Sequence, residues 1–561
     1  MTIDDPILCE KPDDAHWADA ADVVVVGFGG AGAVAAIDLR ERGLSVIAVD
    51  AFAGGGATAH SGAVNYAGGG TRQQREGGID DSVGDMFRYL QAEGVPVSDA
   101  TLQRFCEESS ANIDWLGRHG VDYGSEPYLE KCALPPDGHF LYYSGNEKHP
   151  DFAAKARPAP RAHRVRTSGF GGPVYFEALK KAALAAGVRL TPHSPVRRLI
   201  RDASGTIIGV EILDIPANVA RRREALNAKV KPWTPASGKS AEQAIRANRA
   251  LERGITATKW IRARRAVVLA TGGYIYNLDM VGATRPEIAR SHPTLMRLGK
   301  MGCDGSGIAL GRSAGGVPDH MDRISVGRII APPDALLGGI LVNEKGERFV
   351  NEDVYVCTLG NALAGQARQD QRMWLILSAR DFRKAFRQAL NPGRKLFMLL
   401  GLPTLLNMLM GGTRRARTLE RLATRCGIDP AALRRTVDAY NSRIDAGEAD
   451  PLGKNPAYAR RLAGKGWYAL NQSFDNLFGF TTAFSLGGLR VSEESGAVLR
   501  ADGGAVPGLY AIGRAAVGLC SLAYMSSGMA IADTVFSGRR AARAIAGSQD
   551  HAARPETQAA Q

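Results

Sequence analysis

The chain has 561 residues, 45% of them hydrophobic and 23% charged, which is the balance of a water-soluble globular protein. Collagen, coiled coil and global disorder are excluded, and no run reaches the roughly 18 apolar residues of a membrane-spanning helix. The net charge of +13 is local: residues 217–265 carry net +10 and residues 383–417 net +8, leaving the rest at −5, so a generally cationic, nucleic-acid-binding surface is not indicated.

The opening residues, MTIDDPILCEKPDD, are acidic and lack an apolar core, so no secretory signal is expected. The seven cysteines are scattered and contain no C-x-x-C. That argues against a metal-binding or haem signature and for reduced thiols in a cytoplasmic protein, with no metal site.

Residues 21–52 read ADVVVVGFGGAGAVAAIDLRERGLSVIAVDAF. A continuous apolar strand is followed by GFGGAG, a helical stretch and a second strand ending at Asp50, 18 residues beyond the last glycine. This is the βαβ unit that binds a dinucleotide. Gly27 permits the tight turn, and Gly29 lets the backbone approach a pyrophosphate. Gly32 lets helix and strand pack closely, the helix N-terminus attracts the phosphates, and Asp50 accepts from a ribose diol. The alternative is a glycine turn that serves only its own helix.

After this unit comes GGGATAHSGAVNYAGGG at 54–70, a hydroxyl-bearing loop able to line a long cofactor. Residues 217–262 read as a basic, polar helical insertion, a mobile excursion near the same surface as residues 396–410. Residues 263–274, ARRAVVLATGGY, and 506–514, VPGLYAIGR, are strands ending in small residues. Motifs at both ends of the chain imply one nucleotide domain interrupted by a large insertion, and favour FAD over NAD. Residues 396–410, LFMLLGLPTLLNMLM, are flanked by Arg394, Lys395, Arg414, Arg415 and Arg417. They read either as an anchor on an anionic membrane surface or as a buried hairpin or subunit contact. Residues 528–546 read as a closing helix whose positive end faces the flavin.

Further segments carry a family resemblance: SGAVNYAGGGT (61–71), GILVNEKGERFVNEDVY (339–355), FSLGGLRV (484–491), VPGLYAIGRAAVG (506–518) and YMSSG (524–528). Together they resemble the fumarate reductase/succinate dehydrogenase-like flavoproteins. Within that group they are most similar to the 3-ketosteroid dehydrogenases, especially the Δ4-(5α) type. The resemblance implies an α/β fold with a Rossmann-like FAD-binding domain of glutathione-reductase type (18–290 and 470–548), interrupted by an α+β capping domain (291–469), with a disordered tail at 549–561.

It also implies non-covalent FAD held by Gly27, Gly29, Gly30, Ala31, Gly32, Asp50, Ala51, Thr58, Ala59, Ser61, Gly62, Val196, Ala270, Thr271, Gly272, Gly513, Arg514, Gly528, Ala530 and Ile531. The implied reaction desaturates ring A of a 3-ketosteroid and passes the electrons to an external acceptor. Desaturation next to a ketone needs a base and a donor to the developing enolate. The resemblance assigns Tyr355 as base and Tyr524, with Ser526 or Ser527, as the carbonyl donor; YMSSG has one residue more than the steroid enzymes' Tyr-x-Ser-Gly, which leaves the serine open. Tyr66 and Phe484 are expected as apolar walls. Two readings compete: a fumarate- or enoate-type reductase, for which Arg328, Arg348 and His292 are candidates, and a membrane-surface protein that retains FAD without turnover. His60 lies where some relatives attach FAD covalently.

Overall fold

The computed structural model describes residues 3–548 except 131, 235–236, 391–400 and 475. The expected tail at 549–561, together with Arg394, Lys395 and residues 396–400, lies outside the described residues. The architecture is α/β.

The main sheet takes strands from both ends of the chain. In order they are Ile7–Leu8, Val196–Arg201, Ile207–Leu213, Thr258–Leu269, Asp19–Val26, Val46–Val49 and Arg189–Thr191, with Ala505–Ala511 and Ala497–Leu499 joining off the path. The 12-residue strand Thr258–Leu269 has room for two partners along one edge: its first half pairs antiparallel with Ile207–Leu213, its last three residues parallel with Ala505–Ala511. Its other edge runs parallel to Asp19–Val26. Register aligns Val49, Val26, Leu269 and Ala511 in one row. The carboxyl ends of four parallel strands therefore share one rim, where open parallel sheets bind ligands.

The valine run 23–26 is uninterrupted because both of its faces are buried. Val24 and Val26 point into one core, and Val23 and Val25 into the other. The second of these cores is closed by helices Gly30–Glu41 and Met529–Gly547 packed against each other, where Gly538 comes so close that a methyl there would lie 3.2 Å from the Ala31 carbonyl oxygen.

The middle of the chain builds separate small sheets. One joins Met296–Arg297, Thr481–Ser485 and Ile324–Arg328; another joins Ile340–Val342, Trp374–Ser378, Trp467–Asn471 and Arg414–Ala416. Helix Val356–Arg368 lies across strand Ile324–Arg328. At their contact a methyl on Gly360 would fall 2.1 Å from the Val326 carbonyl oxygen, so only glycine allows this approach. That packing fixes Tyr355, the residue that begins the helix.

The basic insertion is helical and lies at the surface, with Arg221 and Arg222 exposed, but its inner face is packed down. Helices Ala217–Ala228 and Gly238–Arg253 pack on one another, the second places Ala241, Ala244 and Ile245 in the core that holds Val26 and Val49, and Arg223 is completely buried beneath them. Its charge is matched locally by Glu252 at 2.7 Å, so the segment's net charge misrepresents its inner face.

Candidate active site

A cavity of about 290 Å³ opens along the shared rim of the main sheet. Gly27, Gly29, Gly30, Ala31, Asp50, Ala51, Thr58, Val196, Ala270, Thr271, Gly272 and Arg514 line it. The glycines separate into two kinds. Gly27 has φ +99°, and a side chain there would meet the Ala270 carbonyl oxygen at 2.6 Å; one on Gly32 would meet the Gly27 carbonyl oxygen at 2.0 Å. The fold itself demands these two. Gly29 differs: the nearest atom to a methyl there is 3.7 Å away. The protein leaves space at Gly29, and that space belongs to the cavity, which is the signature of a ligand approached by backbone.

Asp50 accepts from the Phe28 N–H at 2.7 Å and the Phe52 N–H at 2.8 Å, one on each carboxylate oxygen. These bonds aim it at the cavity, although burial raises its pKa. Gly32, Ala59 and Gly513 do not line the cavity. Gly32 and Gly513 are packing positions; a methyl on Gly513 would lie 2.9 Å from Ala31 Cβ.

A second cavity, about 230 Å³, adjoins the first through Ala57, Thr58, His60, Arg514 and Thr534, which line both. Ser61, Gly62, Gly528, Ala530 and Ile531 face this second space. The helix Met529–Gly547 starts here after Gly528, whose φ of +101° admits only glycine comfortably. Its first residues, Gly528, Ala530 and Ile531, line this cavity and Thr534 lines both, so the positive end of the helix lies at their junction.

The second cavity is largely apolar, with Leu134, Phe170, Phe480 and Phe484 among its walls, and its hydroxyls come from Tyr142, Tyr355, Tyr524 and the serines Ser61 and Ser527, with Thr58, Thr482 and Thr534. The Tyr355 hydroxyl lies 2.9 Å from Ser527 Oγ, and the Tyr355 and Tyr524 rings are 6.3 Å apart. Phe484 packs edge-on against Tyr524 at 4.9 Å. The Tyr524 oxygen accepts the Gly528 N–H at 3.0 Å, which leaves its own proton free to be donated. Burial raises the pKa of both phenols. For Tyr355 the Ser527 bond acts in the opposite sense.

Of the two candidate serines, Ser527 lines the cavity and Ser526 does not. Ser526 is fully buried, turns away from the cavity and meets the Tyr89 hydroxyl at 3.2 Å. The serine also pairs with Tyr355 rather than Tyr524, unlike the expected grouping. Tyr66 lines neither cavity; it is buried behind the wall, in the apolar cluster that joins Met86 and Phe105 to Phe484, because the strand Asn65–Tyr66 passes behind Gly528.

The residues kept in reserve for a reductase lie elsewhere. Arg348 is held by Glu352 at 3.0 Å and Asp450 at 2.6 Å. Glu352 also pairs with buried Lys454 at 3.0 Å, so this is a structural charge cluster. Arg328 donates to the Gln472 carbonyl at 2.6 Å, and desolvation lowers its pKa to about 9. His292 bonds to the Ala289 carbonyl at 2.9 Å. None of the three lines the apolar cavity; the arginine that does is Arg514, which donates to the Leu298 carbonyl at 3.4 Å.

Sequence reasoning missed the network behind the tyrosines. Asn146 accepts the Tyr355 N–H at 2.7 Å, donates from its side chain to Glu93 at 3.0 Å, and donates its backbone N–H to the Tyr89 hydroxyl at 2.9 Å. Tyr89 donates to the same Glu93 oxygen at 2.8 Å. Ser144 donates to the Ser527 carbonyl at 2.9 Å. No motif marks these residues, since Asn146 and Ser144 meet Tyr355 and Ser527 across 209 and 383 positions.

Comparison with known proteins agrees with this geometry. The family model for the FAD binding domain matches residues 22–531, and the chain belongs to that family. Its cofactor is FAD, and it is an FAD-dependent oxidoreductase. A 3-oxo-5-alpha-steroid 4-dehydrogenase of Comamonas testosteroni is 36% identical over 513 residues, covering 89% of this chain and 94% of the relative. The crystal structure of a 3-ketosteroid-Δ4-(5α)-dehydrogenase from Rhodococcus jostii RHA1, in complex with 4-androstene-3,17-dione, superposes with a TM-score of 0.78 at 29% identity, covering 97% of this chain and 99% of that one. A cytochrome-type fumarate reductase of Shewanella frigidimarina is more distant, at 26% identity over 96% of this chain and 81% of the relative. Among the described residues no helix is long and apolar enough to cross a membrane, and no group of potential metal ligands occurs.

Proposed function

We propose that the protein is a 3-ketosteroid dehydrogenase that desaturates ring A. The observation that carries this reading is the meeting of Tyr355 with Tyr524 and Ser527, brought from segments about 170 residues apart, inside an apolar cavity that adjoins the cofactor cavity. The steroid relatives support it. Gly27, Gly29, Asp50, Thr58, Ala270 and Arg514 of the first cavity would hold FAD non-covalently, and it would supply the hydride acceptor. The apolar walls suit a flat hydrocarbon skeleton and exclude water. Tyr524 keeps its proton for the ketone, because its oxygen already accepts from Gly528, and so stabilises the enolate. Tyr355 takes the proton from the neighbouring carbon, with Ser527 stabilising its phenolate by donation. The electrons then leave to an external acceptor.

The reading is tested by mixing enzyme anaerobically with saturated and unsaturated 3-ketosteroids and following loss of flavin colour. Saturated 3-ketosteroids should bleach it, and the matching 3-hydroxysteroids, which form no enolate, should not. Bleaching by none of them, with rapid reoxidation of chemically reduced flavin by fumarate, would transfer the site to the reductase reading.

The chain also presents apolar side chains to solvent near arginines. Leu409 and Met410 are 66% and 64% exposed at the end of helix Leu402–Met410, shortly before exposed Arg414 and Arg415. Leu405 and Met408 on the same helix are buried, so the segment is anchored on one side only. This supports peripheral association of a cytoplasmic protein with an anionic membrane surface. Co-sedimentation with anionic vesicles that weakens with salt is the expected outcome; no binding at low salt would end this reading.

A further inference from the structure

The helices Ala217–Ala228 and Gly238–Arg253 turn a mainly polar face to the cofactor cavity. Asn227 and Glu224 from the first helix, and Asn248, Arg249 and Glu252 from the second, line that space beside Ala228 and Ile245. A hairpin that served only to cover the sheet would turn an apolar stripe inward. Here the apolar contacts of the second helix are confined to Ala241, Ala244 and Ile245, while hydrogen-bonding groups face the Asp50 end of the cavity.

The hairpin is pinned at three places, each on the cavity's own wall. Arg223 donates to the Ala51 carbonyl at 2.9 Å, to Asn248 at 3.1 Å and to Glu252 at 2.7 Å, and its guanidinium lies 4.9 Å from the Phe52 ring. It thus ties both helices to the segment just beyond Asp50. Lys300 donates to the carbonyls of Asn227 and Val230 at 2.8 and 2.7 Å. At the tip, Trp233 donates to the His60 carbonyl at 2.8 Å and packs on Phe170 at 4.8 Å. Trp233 and Phe170 both line the apolar cavity, whereas the helices line the other. One element therefore spans both sites.

We propose that the helices Ala217–Ala228 and Gly238–Arg253 form a latch that retains the dinucleotide at its Asp50 end, and that Trp233 forms the outer wall of the substrate cavity. The first half depends on FAD alone; the second rests on the steroid reading above.

FAD release is measured from purified holoenzyme by the rise in flavin fluorescence after dilution. Arg223→Met removes the pin at nearly constant volume, and release should quicken about tenfold or more. Asn248→Ala is a milder change that should quicken release by a smaller factor, and it carries the test alone if Arg223→Met does not fold. Wild-type release rates in every folded variant of this pair would overturn the latch. Binding of a 4-ene-3-ketosteroid is read from its perturbation of the oxidised flavin spectrum. Trp233→Ala should weaken it about tenfold, with Trp233→Phe in between. Wild-type affinity in Trp233→Ala would overturn the outer wall. Absence of steroid binding by the wild-type enzyme would instead count against the steroid reading and leave the FAD-release result standing.

Discussion

The two cavities that meet at Arg514 are built by opposite means. The cofactor cavity is shaped mainly by backbone: a glycine turn, a helix N-terminus and the aligned ends of four parallel strands. The substrate cavity is shaped by side chains from separate segments, each held by partners far away in sequence. Tyr355 is set by the packing of helix Val356–Arg368 and by Asn146, and Ser527 by Ser144. A backbone site tolerates most neighbours and fails at a few glycines. A side-chain site loses function by degrees, through its supports.

The largest effect should come from the glycine that the fold does not need. Gly29→Val places its side chain in the cavity and not in protein, since no atom lies within 3.7 Å of the first added carbon. The variant should therefore fold, with a normal far-ultraviolet dichroism spectrum, and be colourless. Gly32→Val strikes the Gly27 carbonyl instead and should lose folding and colour together. Normal FAD content in Gly29→Val would break the distinction between ligand-facing and fold-required glycines.

This contrast also explains what could be read in the sequence. The βαβ unit is contiguous, and its hydrophobic run, glycine spacing and acid all follow from local backbone requirements, so the cofactor and the sheet were legible. The strand 505–511 was legible for the same reason. The proposed catalytic pair needed the family resemblance, because nothing local distinguishes Tyr355 from a structural tyrosine. Tyr66 shows the cost: its motif context resembles that of a wall residue, yet the strand's facing, set by packing behind Gly528, buries it. The choice between Ser526 and Ser527 depends on which side of the loop faces the cavity, a rotation that composition does not encode. The inner face of the basic insertion was not legible, because a sum of charges does not reveal that Arg223 points inward to Ala51 and Glu252.

Within the substrate cavity, the two tyrosines should separate by pH behaviour. Tyr355→Phe should slow flavin reduction by about 10²–10⁴, the usual cost of a general base, and Tyr524→Phe by about 10²–10³ if it is a main enolate donor. The double variant should be less than additive, because both act on one transition state. Burial raises the Tyr355 pKa, so its basic form grows with pH and the wild-type rate should climb into the alkaline range. Ser527→Ala removes a bond that lowers this pKa and should move the climb to higher pH. Ser526→Ala, facing Tyr89 rather than the cavity, should leave its position in place. Equal shifts in the two serine variants would contradict the assignment of Ser527.

The smallest effect should come from Glu93, which touches neither cavity but holds Asn146 and Tyr89 through a single oxygen. Glu93→Ala should reduce turnover about tenfold, the order of one or two lost buried hydrogen bonds, with FAD content unchanged. Glu93→Gln keeps an acceptor oxygen in place and should recover most of the rate. Burial also pushes the Glu93 pKa up to about 7, against the bonds from Tyr89 and Asn146 that lower it. The folded protein therefore holds a proton that the unfolded chain releases in the ordinary carboxylate range. Between that range and about pH 7 the unfolded state binds fewer protons, so this group's contribution to stability falls as pH rises. Asp533, raised to about 6 by burial, acts in the same sense, so only the difference between wild type and Glu93→Gln isolates Glu93. The melting temperature of Glu93→Gln should decline less than that of wild type from about pH 5 to about pH 8. Parallel declines would show that Glu93 titrates normally and that the network behind Tyr355 is held by shape without a buried acid at its centre.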